Sequence, residues 1–403
     1  MKYLKPALQP YPWGSHSFIQ TFLHVFDSGP LAEAWYGAHP KAPSQIEGRK
    51  LDEIIGTDPA YWLGIQQLKL PFLMKILAAE QALSIQVHPS KSQAEIGFAL
   101  ENEQGLALND PVRNYRDANH KPELIMALTD FYALCGFRMY SQIVEAFQHC
   151  GIEGIFQNFP HFAEEPSGTS FTPLYKEIIS SPPQANLINI LLQLPAEGQW
   201  AQEILWMHEL IKLYPADNSV ISPLLMNLIL LKPYQAISLE AGIVHAYLKG
   251  AGIEIMANSD NVLRAGLTNK HIDIPELLKV MRIEPYLPRI IAPQPVANQL
   301  TAYPSPAPDF GLYIIRLQGP MQLPSISGAR ILLCLQGRAE IVSGTQSLIL
   351  SKSESIIIPH SEQQVMLAGE AEMVLAGLPG KQCVGVGHNA QNKTLYVTPK
   401  TDP

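Results

Sequence analysis

Short runs of alternating apolar and polar residues fill both ends of the chain, and longer runs with helical spacing fill its middle. Up to about residue 130 the chain is rich in turn residues. Its clearest strands are residues 83–88 and 122–128, where side chains alternate or form a short apolar run bounded by turn signals. From about 131 to 231 the spacing changes. Residues 142–149 and 201–213 carry apolar side chains three and four apart, which predicts amphipathic helices. Strand-like runs return from Tyr234 onward. Residues 331–335, 339–342, 347–350 and 355–358 are short, β-rich and punctuated by Gly337, Gly344 and Pro359. Such closely spaced strands predict an antiparallel sandwich or jelly roll. Residues 293–308 are Pro-rich and read as a linker.

At 403 residues the chain exceeds one ordinary core, so two or three domains are expected. A hydrophobic share of 47% places it among globular proteins. Charged residues make up only 16%, and there are 34 Pro and 27 Gly, which favours short elements joined by turns over a helical bundle. The net charge of −8, without any Lys/Arg run, points away from nucleic acid. It leaves a phosphorylated small molecule open, because a few local cations hold one phosphate. The first fifteen or so residues lack the apolar core of a signal peptide, and no apolar stretch is long enough to span a bilayer. A cytoplasmic protein that does not engage membranes is expected. Cys135, Cys150, Cys334 and Cys383 lack metal-type or redox-type spacing and read as reduced, mostly buried thiols.

Four segments carry chemistry. Ser84, Gln86 and His88 share one face of a strand, and Leu83, Ile85 and Val87 share the other. The polar face holds no Lys, Glu or Arg, so it is either an unusual solvated face or a pair of donors, Gln86 and His88, aimed at one ion. Glu123 opens an apolar run. It must be paired, hydrogen-bonded or metal-bound unless it ends the strand in solvent. His245 and Tyr247 share a face after a turn at Gly242, so His245 is either a satisfied core histidine or a ligand. Glu254 lies between two isoleucines, and Arg264 lies in an otherwise uncharged run; each is a structural ion-pair partner or a functional group. Together Gln86, His88, Glu123 and His245 offer nitrogen and oxygen donors and no thiolate. That set suits zinc or another borderline divalent ion.

These blocks resemble the type I phosphomannose isomerases of the cupin superfamily. Tyr11-Pro12-Trp13-Gly14-Ser15 is similar to the family's opening segment. Ala32-Glu33-Ala34-Trp35 and Gly37-Ala38-His39-Pro40 are similar to its second block. The segments around His88, Lys121, His245 and Arg264 are similar to its core blocks. Val244 departs from the Pro that some relatives carry there. The resemblance implies a mainly β fold of cupin-type jelly rolls: a catalytic barrel from residues 1–130 together with 232–300, an inserted α-helical domain at 131–231, and a C-terminal jelly roll at 301–403 without metal. His360 and His388 stand too far apart to suggest a second site.

The resemblance further implies one zinc ion held by Gln86, His88, Glu123 and His245. It implies interconversion of mannose 6-phosphate and fructose 6-phosphate through an enediol. Arg264 would be the catalytic arginine, and Ser84, Lys121, Tyr247 and Glu254 would line the pocket. Glu254, Lys121 and His120 stay open as the general base, and Lys91 is a further option for phosphate. A small sugar phosphate is the implied partner, and the chain is expected to act as a monomer. Two rival classes are an iron(II) cupin oxygenase, whose open positions Gln86 would crowd, and a sugar-binding jelly roll without catalysis.

Overall fold

One long strand organises the N-terminal half of the molecule. In the computed structural model, which describes residues 1–380, the strand His245–Ala257 changes partners along its 13 residues. Its start pairs with Ile85–Val87 and Phe131–Phe137, and its remainder with Phe72–Ala79 and Glu123–Ala127. It turns between these partners at Gly250, where φ is 129° and an added Cβ would lie 2.6 Å from the Asp130 carbonyl oxygen. Glycine alone permits that turn. Glu33–Gly37 extends the sheet beyond Phe72–Ala79, and Leu263–Gly266 pairs with Ile85–Val87. The result is a 10-stranded sheet among the described residues.

Alternation sorts the side chains of this sheet. Ile85, Val87, Leu263 and Ala265 enter a core shared with the helices. Gln86 is the register partner of both His245 and Arg264, so these three share the opposite face. The face that matters for chemistry is therefore fixed by apolar residues on its back.

The helices run from Tyr140–His149 to Ser222–Leu225. The strands Phe131–Phe137 and Met226–Leu231 close their base as an antiparallel pair. Both strands lie inside the 131–231 span expected as helical. Phe131–Phe137 is largely buried through its pairing with His245–Ala257, whereas Met226–Leu231 is an edge strand whose middle stays half-buried. The helical core is aromatic: Phe147 stacks on Phe159 at 4.9 Å, and Phe137 meets Phe171 at 5.0 Å.

The second sheet has nine strands among the described residues. Its edge is completed by Lys2–Tyr3 from the start of the chain, paired with Ser355–Ile358. The runs expected at 331–335 and 339–342 form one bent strand, Arg330–Ser343, whose register shifts between Cys334 and Gln336. That bulge absorbs the break Gly337 suggested. The Pro-rich stretch expected as a linker instead supplies the strands Gln294–Ala297 and Leu300–Tyr303. Pro295 is tolerated because Gln294–Ala297 is an edge strand with no further ladder to donate to. The two sheets meet through an apolar layer in which Tyr36, Phe72 and Ile76 pack with Leu312, Ile331 and Val374.

Cys135, Cys150 and Cys334 are buried free thiols; Cys383 and His388 lie outside the described residues. Among the described residues, no helix is long and apolar enough to cross a membrane.

Candidate metal centre

His88, Glu123 and His245 come from three separate strands or strand ends, and all three are buried. Their ligand atoms lie within 4.8 Å of one another. The His88 Nδ1–H donates to the Asn261 carbonyl at 2.8 Å, and the His245 Nδ1–H to the Ile243 carbonyl at 2.9 Å. A carbonyl can only accept, so each Nδ1 carries the proton and each Nε2 keeps its lone pair. His88 Nε2 lies 3.4 Å from one Glu123 oxygen and His245 Nε2 lies 3.5 Å from the other. His88 Nε2 has no hydrogen-bond partner. A buried acceptor left in that state is costly, and a cation between the imidazoles and the carboxylate removes the cost.

The protonation states agree with that role. Burial pushes the His88 imidazole down to about 4, against the pull of Glu123. Burial also opposes the Glu123 charge, but Lys121 is the largest influence against it, and the carboxyl stays well below its usual range. Neutral imidazoles and an ionised carboxylate are the forms that bind metal. The donor atoms fit a borderline divalent ion such as zinc. Gln86 faces the same side through its register with His245, and its amide donates to Ser84 Oγ at 3.4 Å. Lys121 Nζ is 3.1 Å from Glu123.

Beside this cluster lies a buried charge network only partly foreseen from sequence. Lys75 Nζ sits 2.7 Å from Glu254 and 3.4 Å from Glu33. The Tyr247 hydroxyl donates to Glu254 at 2.9 Å, and the Trp35 indole donates to Glu33 at 2.8 Å. Burial pushes the Glu254 carboxyl up, with Lys75 working against it. Burial opposes the Lys75 charge, but Glu254 and Glu33 outweigh it and raise the ammonium. Lys75 was missed although a signal existed: it is the one charge in the strand Phe72–Ala79, and a charge in a buried strand needs a partner. His39 and Asp260 were also missed. His39 Nε2 lies 3.7 Å from Asp260, which takes Lys41 at 2.9 Å.

Arg264 stands among cations. Burial lowers its guanidinium, and Arg116 adds to this. Lys270 is lowered by burial, then by Arg264 and Arg116. Among the described residues, none of these three side chains forms an ion pair. Arg116, in a loop, carried no sequence signal. Lys91 donates to the Ala118 carbonyl at 2.8 Å and lies 3.5 Å from Glu95. His120 Nε2 is 2.8 Å from Asp309, which precedes a strand of the second sheet. His360 accepts from the Gly328 N–H at 3.1 Å.

An antiparallel barrel with a buried His–Glu–His cluster is, as a class, a metal-binding cupin. Known proteins narrow the class. Residues 1–140 match the family described as phosphomannose isomerase type I, catalytic domain, and residues 299–377 match the mannose-6-phosphate isomerase cupin domain. The chain is 37% identical over 363 residues to the mannose-6-phosphate isomerase of Escherichia coli K12, covering 87% of this chain and 92% of that one. It is 31% identical over 386 residues to the human mannose-6-phosphate isomerase, covering 83% and 87%. A zinc-bound crystal structure of mannose 6-phosphate isomerase aligns with a TM-score of 0.86 at 35% identity, over 94% of this chain and 99% of that one. The apo form from Salmonella typhimurium aligns with a TM-score of 0.85 at 36% identity, over the same shares. The chain belongs to the type I phosphomannose isomerase family.

Proposed function

We propose that this enzyme interconverts mannose 6-phosphate and fructose 6-phosphate, with one zinc ion held by His88, Glu123, His245 and Gln86. The observation that carries this reading is the pair of imidazoles pinned through Nδ1, with their Nε2 atoms turned to one carboxylate. Zinc, when bound, supplies Lewis acidity toward the oxygens of the sugar.

The side chains supply the rest. Arg264, Arg116 and Lys270 hold the phosphate, a dianion that relieves three cations without carboxylate partners. Their company supports giving Arg264 to phosphate rather than to the enediolate. Glu254 takes the proton from C2 of the open-chain aldose and returns it to C1 of the enediol. A carboxyl raised by burial is suited to both steps. Lys75 and Tyr247 fix its orientation. Lys121 stands by to stabilise negative charge on O1 or O2, and Ser84 borders the same face.

In this reading the catalytic unit is discontinuous. The first sheet draws its strands from both sides of the helices in residues 140–225, Phe131–Phe137 and Met226–Leu231 among them, and a metal-free second sheet gathers Lys2–Tyr3 with the strands of residues 294–377. The buried free thiols support a cytoplasmic setting, where they stay reduced.

Chelation should abolish conversion of mannose 6-phosphate, and added zinc should restore it at one ion per chain by metal analysis. Glu254→Gln should keep zinc and lose exchange of the C2 hydrogen with solvent deuterium. Full turnover by rigorously zinc-free protein sinks the proposal.

A further inference from the structure

The helical unit contributes no residue to the His88–Glu123–His245 cluster, yet it grips the strand that carries Arg264. Tyr175, in the helix Gly168–Ser180, is buried, and its hydroxyl donates to the Ala265 carbonyl at 3.1 Å. Asp217 caps the 3₁₀ turn Asn218–Ile221 by accepting from the Ser219 N–H at 2.8 Å. Its other oxygen accepts from the Thr268 N–H at 3.2 Å. Gly266, with φ 135°, lies against the Ser219 side chain so closely that a Cβ would collide with it. All three contacts fall within Ala265–Thr268, between Arg264 and Lys270.

These contacts act on a weak element. Leu263–Gly266 is four residues long, and its register with Ile85–Val87 shifts between Arg264 and Gly266. In so short a strand, slipping by one residue turns every side chain to the other face. Arg264 would then leave the face it shares with Gln86 and His245. The buried Ala265 carbonyl also needs a donor, and Tyr175 provides it.

We infer that the helical unit sets the grip on phosphate, with Tyr175 and Asp217 as positioning residues for Arg264, the member of that cation cluster carried by the gripped strand. This rests on the assignment of that cluster to phosphate. The chemistry at C1 and C2 lies on other strands, so loosening Arg264 affects binding and spares the proton transfer.

The test is Tyr175→Phe, which removes one hydroxyl and keeps the ring. The KM for mannose 6-phosphate should rise about threefold to tenfold, as loss of one buried hydrogen bond predicts, while kcat stays within about twofold. Competitive inhibition by inorganic phosphate should weaken by the same factor. Arg264→Ala alone should raise KM further, and adding Tyr175→Phe to it should cost nothing more, because both act through one group. Asp217→Asn gives the same comparison if Tyr175→Phe does not fold. If Arg264→Ala raises KM but the Tyr175→Phe effect is absent, falls on kcat, or multiplies in the double variant, the inference is overturned and the phosphate assignment stands. If Arg264→Ala leaves both KM and phosphate inhibition unchanged, the phosphate assignment itself falls.

Discussion

The two sheets are built by the same rules, but only the first gathers a network of charged groups among its inward apolar residues. Inward positions of the first carry Lys75, His88, Glu123, His245 and Glu254, each no more than 6% exposed. Inward positions of the second carry Leu332, Cys334, Ile356, Met373 and Leu375. Arg330 is an exception there, and its guanidinium donates to the backbone carbonyls of Pro359 and Glu362. Strand alternation thus provides an enclosed interior without specifying what fills it. A charged interior survives only where its groups answer one another. Lys75 has two carboxylates, Glu254 has Lys75 and Tyr247, and Glu123 has Lys121 with two imidazoles. The apolar interior needs no such matching, so its residues are individually less constrained.

That contrast can be broken at graded points. The largest effect is expected for His88→Ala. Loss of an outer partner of a metal ligand costs about tenfold to a hundredfold, so loss of the ligand itself should cost at least that in zinc affinity and activity together. Metal analysis alongside turnover checks it, and retained zinc with normal turnover removes His88 from the site. Next is Lys75→Met, which leaves Glu254 and Glu33 buried without their cation. About 3–5 kcal/mol of stability should go, read by denaturant unfolding with activity measured on the folded fraction. Third is Met373→Ala in the second sheet, expected to cost about 2–5 kcal/mol through a cavity while kcat/KM holds. A fall in kcat/KM there would show that the two interiors are coupled. The smallest effect belongs to Ile356→Val, about 0.5–1.5 kcal/mol, with no change in zinc or turnover.

What the sequence disclosed follows the same division. The segment 83–88 was legible because its alternation is strict and its polar face lacks ordinary solvent residues. The apolar back of that strand, Ile85 and Val87, does pack into a core. The helices near 142–149 and 201–213 were legible from spacing. Lys75 was available as a lone charge in an apolar run, but its partner Glu254 lies 179 residues away. Arg116 joins Arg264 only through the fold, which no local pattern encodes. The stretch 293–308 misled because proline density resembles a linker, and only an edge position makes Pro295 compatible with a sheet. The bend near Gly337 misled similarly: a bulge inside one strand has the residue pattern of a turn between two.

The strand Lys2–Tyr3 has a consequence for how the protein is made. Its ladder partner, Ser355–Ile358, lies far along the chain. The Ser355 hydroxyl bonds the Leu4 carbonyl across a separation of 351 residues. Lys2–Tyr3 must therefore stay unpaired until Ser355–Ile358 has been made. During that interval its backbone is open to other edges, and its charged residues, Lys2 and Lys5 among them, keep it soluble. A chain cut short before Ser355 would leave Lys2–Tyr3 without its ladder and open to the strand edges of other chains.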